Sequence, residues 1–224
     1  MHALVVHAHP VPGSYSHALR DAVVSGLRTA GHDVELIDLY EIDYRPWMTD
    51  DEHRHYESIA EAHPDPVVAR HIELVRWADA LVLVYPTWWS GLPAILKGWL
   101  DRTMLPGVAF RLDERTNKVK GVLELRHLIG VTTYGSPSWY MLFVGDAGRR
   151  TITRTIRLVC GRSTKTHFHR LHKINTIDDA ARQAYLREVE ASFASSILPP
   201  RRHPNRVNHA RAASWSSNIL ARIH

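Results

Sequence analysis

Residues 81–102, LVLVYPTWWSGLPAILKGWLDR, decide the reading of the fold. Leu81, Val82, Leu83 and Val84 form a short continuous apolar run, the pattern of a strand buried on both faces in a parallel sheet. Pro86 and Gly91 break the run at its carboxyl end. Pro93 then stands where a helix would begin, and ILKGWLDR continues that helix. Between strand and helix lie Pro86, Thr87, Trp88, Trp89 and Ser90. Two adjacent tryptophans in a loop need covering. Either a flat aromatic ligand at the carboxyl end of the strand covers them, or they close a local hydrophobic core; the residues alone leave both readings open.

Working outward, the chain alternates strand and helix. Ala3 to Ala8 is a short apolar run ending at His9-Pro10. A turn-rich loop, Val11 to Ser16, leads to a helical pattern over His17 to Ala30, stopped by Gly31. Asp33 to Leu39 alternates as a second strand. Residues Tyr40 to Pro66 are acidic, rich in histidine and unassigned, and Val67 to Trp77 reads as a helix. The third strand is Ala80 to Tyr85. Leu105 to Gly121 reads as an irregular insertion. A fourth strand spans Arg126 to Thr133, a helix Gly148 to Val159, a fifth strand Thr164 to His169 and a last helix Asp178 to Ser195. Five strands alternating with helices predict an α/β three-layer sandwich. With the parallel sheet ordered 2-1-3-4-5, the loops after strands 1, 3 and 4 share one edge at the switch point, where such folds bind ligands.

Those three loops carry complementary chemistry. The first offers His9, Ser14, Ser16 and a helix N-terminus, a cradle for a phosphate; Ser16 as a simple helix cap is the competing reading. The second offers the indoles. The third offers Thr132, Thr133, Tyr134 and Gly135, with the aromatic pair Trp139-Tyr140. Phosphate site, aromatic platform and polar edge together describe a flavin mononucleotide moiety.

Composition excludes several classes. A hydrophobic fraction of 45% over 224 residues supports a sizeable core. No apolar run is long enough for a membrane span, and the apolar start MHALVVHAHP is too short and too early for a signal peptide. Cys160 is the only cysteine, so neither an internal disulfide nor a cysteine metal cluster is expected, and a cytoplasmic location is. The net charge of +5 permits attraction to anions, but no nucleic-acid motif accompanies it. The sixteen histidines are scattered and contain no HExxH; for His167, His169 and His172 a surface or strand-alternation reading outweighs a metal site.

Four segments carry a family resemblance: His7-Ala-His-Pro10 with Ser14-Tyr-Ser16; Tyr85 to Trp99, above all GLPAILKGW; Thr132-Thr-Tyr-Gly135; and Ser138-Trp-Tyr140. On these the chain resembles the flavodoxin-like NAD(P)H:quinone oxidoreductases. The resemblance implies a flavodoxin-like sandwich over residues 1–198, FAD or FMN as cofactor, NAD(P)H as electron donor, and a homodimer with sites at its interface. It also implies roles. His9, Ser14, Tyr15 and Ser16 match the flavin-phosphate loop; Pro86, Thr87, Trp88, Trp89 and Ser90 match the loop against the isoalloxazine. Thr132, Thr133, Tyr134 and Gly135 match the loop at the pyrimidine edge, and Tyr140 matches a catalytic tyrosine that stabilises charge on the reduced flavin. Arg182 aligns with an arginine near the adenine end of FAD, although a solvated surface arginine is the commoner meaning of such a residue. Two positions depart from the family pattern. Tyr134 replaces the first glycine of a pair, and Asp146, six residues after Tyr140, replaces a catalytic histidine.

The implied activity is ping-pong transfer of hydride from NAD(P)H through flavin N5 to a quinone or similar flat acceptor. A flavin-binding regulatory subunit of a membrane transporter is the alternative, and a one-electron flavodoxin fits the basic charge poorly. The insertion Tyr40 to Pro66 is the expected pairing element of the dimer. From Pro199 onward a basic tail, residues 199–224, begins with prolines that cannot continue a helix. It is expected to strap across the partner, with Trp215 packed against protein.

Overall fold

The computed structural model describes residues 1–56, 58, 63–113, 115, 116 and 118–195. The tail, including Trp215, lies outside the described residues.

The first strand, β1 (His2–His7), feeds α1 (Tyr15–Thr29), and Gly31, in the left-handed region at φ 74°, turns the chain into β2 (Asp33–Asp38). The region left unassigned from sequence holds a short helix, α2 (Asp50–Arg54), closed by a capping box in which Thr49 and Glu52 satisfy each other's backbone N–H. Helix α3 (Pro66–Trp77) starts with Asp65 as its cap and proline in its first turn. It leads to β3 (Ala80–Pro86), which is buried along its whole length, and α4 (Ala94–Thr103). The expected irregular insertion instead carries a hairpin, β4 (Phe110–Leu112) with β5 (Val119–Gly121). Its strands are three residues each and mostly exposed, too short for alternation to register.

The fourth core strand is β6 (His127–Thr133), also buried throughout. Trp139 and Tyr140, expected on a loop, lie on a short helix, α5 (Ser138–Val144), which ends at Gly145 in the left-handed conformation. The helix expected over Gly148 to Val159 is composite: α6 (Ala147–Arg150), a π-helical turn (Thr151–Ile156) and α7 (Arg157–Val159). The last strand and helix are β7 (Lys165–Leu171) and α8 (Asp179–Ala194).

The five core strands are all parallel and run in the order β2-β1-β3-β6-β7, the 2-1-3-4-5 order expected. Alternate residues face opposite layers. Ala3 and Val5 of β1, Val82 and Val84 of β3 and Ile129 and Val131 of β6 pack under α1 and α8. Leu4 and Val6, Leu81 and Leu83, and Leu128 pack under α3, α4 and the π turn. Helices α1 and α8 come so close at Gly26 that a Cβ there would lie 2.5 Å from the Glu190 carbonyl. On the other face Arg102 of α4, almost fully buried, ties down the segment after β2. It bonds Glu52, Asp65 at 2.7 Å and the Arg45 carbonyl at 2.7 Å, and its guanidinium lies 5.3 Å from the Tyr44 ring centre.

Candidate functional site

The register places the three loops side by side. His7 pairs with Val84 across β1 and β3, and Pro86 pairs with Thr133 across β3 and β6. The loops that follow therefore leave from one edge.

In the first loop, Gly13 at φ 72° reverses the chain so that Ser14 can cap α1. Ser14, rather than Ser16, holds the cap position, and its hydroxyl bonds His17 Nδ1 at 2.9 Å instead of a backbone N–H. Ser16 is buried, with its hydroxyl 3.1 Å from His7 Nε2. His7 Nδ1 in turn lies 2.7 Å from Asp38 Oδ2 at the end of β2. Burial alone would raise the Asp38 carboxyl; the hydrogen bond and charge of His7, the Glu41 N–H and Arg20 outweigh it and hold it down at about 2. His9 accepts from the Val11 N–H at 3.1 Å, and burial lowers its pKa. Tyr15 turns away from the loop: its hydroxyl donates to the Arg182 carbonyl at 2.8 Å, and burial pushes it up to about 12. The Arg182 side chain bonds Asp179 and the Ile174 carbonyl, so α8 borders this loop through backbone and tyrosine rather than through a free guanidinium.

The second loop is a tight turn. Trp88 and Gly91 exchange backbone hydrogen bonds at 3.2 and 2.9 Å around Trp89 and Ser90, both left-handed at φ 49° and 57°. Consecutive positive φ angles are the geometry of a type I′ turn, normally filled by Asn or Gly. Holding them with tryptophan and serine costs free energy, and such strain concentrates at ligand sites. The turn throws the Trp89 indole fully into solvent, leaves Trp88 40% exposed, and brings Trp88 within 6.2 Å of the His9 ring. Of the two readings of the tryptophan pair, a local core is therefore excluded for Trp89. Helix α6 braces this turn: the Gly148 N–H donates to the Ser90 carbonyl at 3.2 Å, and a Cβ on Gly148 would lie 3.2 Å from the Gly91 carbonyl carbon.

The third loop is locked to the second. The Thr132 and Thr87 hydroxyls lie 2.8 Å apart, and the Thr87 N–H donates to the Thr133 carbonyl at 2.9 Å. Thr132, Thr133 and Tyr134 are buried, whereas Gly135 is exposed. The Tyr134 ring stacks on His172 at 4.5 Å and its hydroxyl donates to Asp146 Oδ2 at 2.9 Å. The two residues that depart from the family pattern thus contact each other. Asp146, left-handed at φ 42°, also accepts from the Arg149 N–H and so caps α6. Its carboxylate is occupied as a structural acceptor. Beyond Gly135, α5 presents Trp139 and Tyr140 partly to solvent, 69% and 40% exposed.

Sequence reasoning missed His7, His17, Arg20 and Asp38. The signal was a polar residue closing each of two adjacent apolar strands, since His7 and Asp38 are register partners. His7, His17 and Asp38 bring one possible ligand atom each within 4.8 Å of one another, as a metal site would. However, Arg20 Nη1 sits 2.8 Å from the same Asp38 oxygen and already meets its charge. His167 stacks on His127, and His169 packs 5.4 Å from Phe193, in line with strand alternation.

Residues 1–193 match the family model described as a flavodoxin-like fold, and the chain belongs to that family. It is 32% identical over 155 residues to rat NAD(P)H dehydrogenase [quinone] 1, covering 62% of this chain and 56% of the rat protein. It is 28% identical over 193 residues to an uncharacterized NAD(P)H oxidoreductase of Haemophilus influenzae, covering 83% of this chain and 91% of that protein. Among solved structures, the NAD(P)H:quinone oxidoreductase from Methanothermobacter marburgensis superposes with a TM-score of 0.73 at 26% identity, covering 91% of this chain and 99% of that one. The chain spans little more than half the length of the rat protein. No helix among the described residues is long and apolar enough to cross a membrane.

Proposed function

We propose that the protein is an NAD(P)H:quinone oxidoreductase that binds FAD or FMN at the carboxyl edge of the sheet. The observation that carries this reading is the exposed, strained Trp88–Gly91 turn, set between a polar helix N-terminus and the Thr132–Gly135 loop. A bound flavin would supply two-electron hydride chemistry between NAD(P)H and a quinone or similar flat acceptor. The chain's own residues bind and orient. The N-terminus of α1, with His9 and Ser14, receives the phosphate. Pro86 to Ser90 line the ring, and Trp88, Trp89 and Trp139 wall a pocket that donor and acceptor occupy in turn. Tyr140 holds a hydrogen-bond donor where negative charge develops.

A second copy of the chain completes this reading. An apolar cavity of about 650 Å³ opens between the segment around α2, helix α4, the hairpin and α7, lined by Met48, Tyr56, Met104, Phe110, Ile156 and Leu158. Leu158 is 78% exposed, and Leu142 and Phe143 of α5 are exposed to 83% and 85%. An apolar surface of this kind is what a homodimer covers.

Absorption of the purified protein, the mass of the released cofactor, and NAD(P)H consumption with a quinone test the proposal. A protein that takes up neither FMN nor FAD on reconstitution overturns it. Tyr140→Phe is expected to retain flavin but slow its reduction in single turnover, by the equivalent of roughly 3 kcal/mol. An unchanged rate removes Tyr140 from the mechanism. Light scattering at a mass near the 25.5 kDa chain rejects the dimer.

A further inference from the structure

The second and third loops are joined by two routes. The direct one is the Thr87–Thr132 hydroxyl contact with the Thr87 N–H to Thr133 carbonyl bond. The other runs through α6. Tyr134 donates its hydroxyl hydrogen to Asp146 Oδ2 at 2.9 Å, and Asp146 Oδ1 accepts from the Arg149 N–H at 3.1 Å. From the same helix the Gly148 N–H donates to the Ser90 carbonyl at 3.2 Å. The proposed function gives neither the Tyr134 side chain nor Asp146 a part.

The second route passes through strained backbone. Among the described residues, five other than glycine adopt positive φ, and three of them, Trp89, Ser90 and Asp146, lie on this route. Such conformations persist only where the surroundings over-determine them. The Trp88–Gly91 turn has its own two backbone bonds, but Trp89 at its tip is fully exposed and packs on nothing. Outside support for Ser90 comes from the Gly148 N–H. The contact is close: a Cβ on Gly148 would lie 3.2 Å from the Gly91 carbonyl carbon and 3.4 Å from the hydroxyl of buried Tyr85.

Helix α6 has four residues, too few to hold a place by itself. Its carboxyl end runs into the π turn, where Ile152 is buried. Its amino end, which meets the Ser90 turn, is held by Asp146, one oxygen capping the helix and the other taking the tyrosine hydroxyl. Tyr134 is itself anchored. It is buried and stacked on His172, its N–H donates to the Leu171 carbonyl at 2.8 Å, and its carbonyl accepts from the Ile174 N–H at 3.0 Å. The third loop therefore sets where α6 stands, and α6 supports the turn of the second.

We infer that Tyr134 and Asp146 are positioning residues: their hydrogen bond holds the amino end of α6 against Ser90 and keeps the Trp88–Gly91 turn in its left-handed form before a ligand arrives. The consequence for binding rests on the proposed flavin reading; the tie itself belongs to the apoprotein. With the tie cut, the turn relaxes in part of the population. A turn competent in about one molecule in ten binds flavin about tenfold more weakly.

Tyr134→Phe removes the hydroxyl and keeps the ring that stacks on His172. In full-length apoprotein, amide exchange at Gly148 and Gly91, followed site by site by NMR, is expected to quicken by about tenfold or more, while exchange on β3 and β6 stays as it was. A general loss of stability would quicken all of them together. In titrations of apoprotein with FMN and FAD, Tyr134→Phe is expected to weaken binding about tenfold, and Asp146→Ala at least as much. Asp146→Asn keeps a capping oxygen and an amide that can donate to the Tyr134 hydroxyl, so it is expected to retain most of the affinity. Ser90→Gly relieves the strain at φ 57°, because glycine takes that conformation freely. In that background Tyr134→Phe is expected to weaken binding by no more than about twofold, which measures the coupling. Unaltered exchange at Gly148, unaltered flavin affinity in Tyr134→Phe and Asp146→Ala, or equal losses with and without Ser90→Gly overturns the inference. Should Tyr134→Phe fail to fold, Asp146→Ala takes its place in both measurements. If the unmodified protein binds neither flavin, the flavin reading fails, and the exchange measurement still decides the tie.

Discussion

Arg102 on α4 and Asp38 at the end of β2 are both buried and charged, but their partners differ in kind. Arg102 is met by carboxylates, Glu52 and Asp65. Burial would raise both carboxyls; the bonds from Arg102 and from backbone N–H groups outweigh it and hold them below the ordinary range. That charge pattern is fixed near neutrality. Asp38 is met by Arg20 but also by His7 and His17. The fixed cluster lies on the α3–α4 side and clamps the segment after β2. The Asp38 cluster lies under α1, below the loop proposed to take a phosphate. Buried charge thus serves as a clamp where one guanidinium takes two carboxylates, with His63 3.6 Å from Glu52 beside them, whereas on the other side one carboxylate is shared by a guanidinium and two histidines.

Breaking the clamp has the largest expected effect. Arg102→Met leaves Glu52 almost fully buried without its main partner, and loss of one member of a buried pair costs about 3–5 kcal/mol. Arg45 remains 3.2 Å from Glu52 and 3.4 Å from Asp65, so the low end, about 3 kcal/mol, is expected in denaturant unfolding. A loss below about 1 kcal/mol would place the pair in the surface class and dissolve the comparison.

His71 of α3 sharpens it next. Burial holds this histidine at about 4, against 6.5 for a free one. Its neutral form is therefore the folded one, and stability is lost as pH falls from 6.5 toward 4, because the unfolded chain takes the proton first. His71→Leu is expected to remove up to roughly 3 kcal/mol of that acid-induced loss, seen as a flatter dependence of the unfolding midpoint on pH. An unaltered profile would show that His71 carries a proton in the fold.

On the other side of the sheet, Asp38→Asn tests the Asp38 cluster. The Asp38 carboxyl, at about 2 rather than 3.8, contributes stability that is complete above 3.8 and lost as pH falls through about 2. The variant is expected to be less stable by roughly 2 kcal/mol near neutrality, with the difference shrinking at about pH 3. A difference that does not shrink would assign the loss to packing rather than charge.

The smallest effect belongs to the site's aromatic turn. Trp89→Gly relieves a left-handed tryptophan that buries nothing, so stability is expected to rise by up to about 1 kcal/mol while flavin is retained less well. A lower unfolding midpoint would show that the indole packs against the protein.

Most of the fold was legible because its signals are local. The apolar runs at residues 3–8 and 81–84 report strands buried on both faces, and Gly31 and Pro93 punctuate the helices beside them. Alternation of strand and helix predicted the parallel α/β layers, while the order 2-1-3-4-5 entered as one of the orders such sheets adopt. The hairpin at Phe110–Gly121 was not legible, because three-residue strands are too short to carry a period. Nor was the π turn at Thr151–Ile156, whose TITRTI sequence reads as an ordinary helix.

Of the candidate site, the sequence alone determined which loops share the edge and which residue types they bring: serines, an indole pair, threonines and Tyr140. Only the tertiary structure decided which side chains are committed to the protein and which stay open. It buries Ser16 against His7, turns the Tyr15 hydroxyl to α8, and joins Tyr134 to Asp146, while Trp89 is left in solvent. It also brings Asp38 to His7 across 31 residues and Arg102 to Glu52 across 50. The physical reason is one of range. Periodicity and turn chemistry act over a few neighbouring residues, whereas hydrogen bonds and ion pairs act over a few ångströms between segments that only the packed sheet brings together.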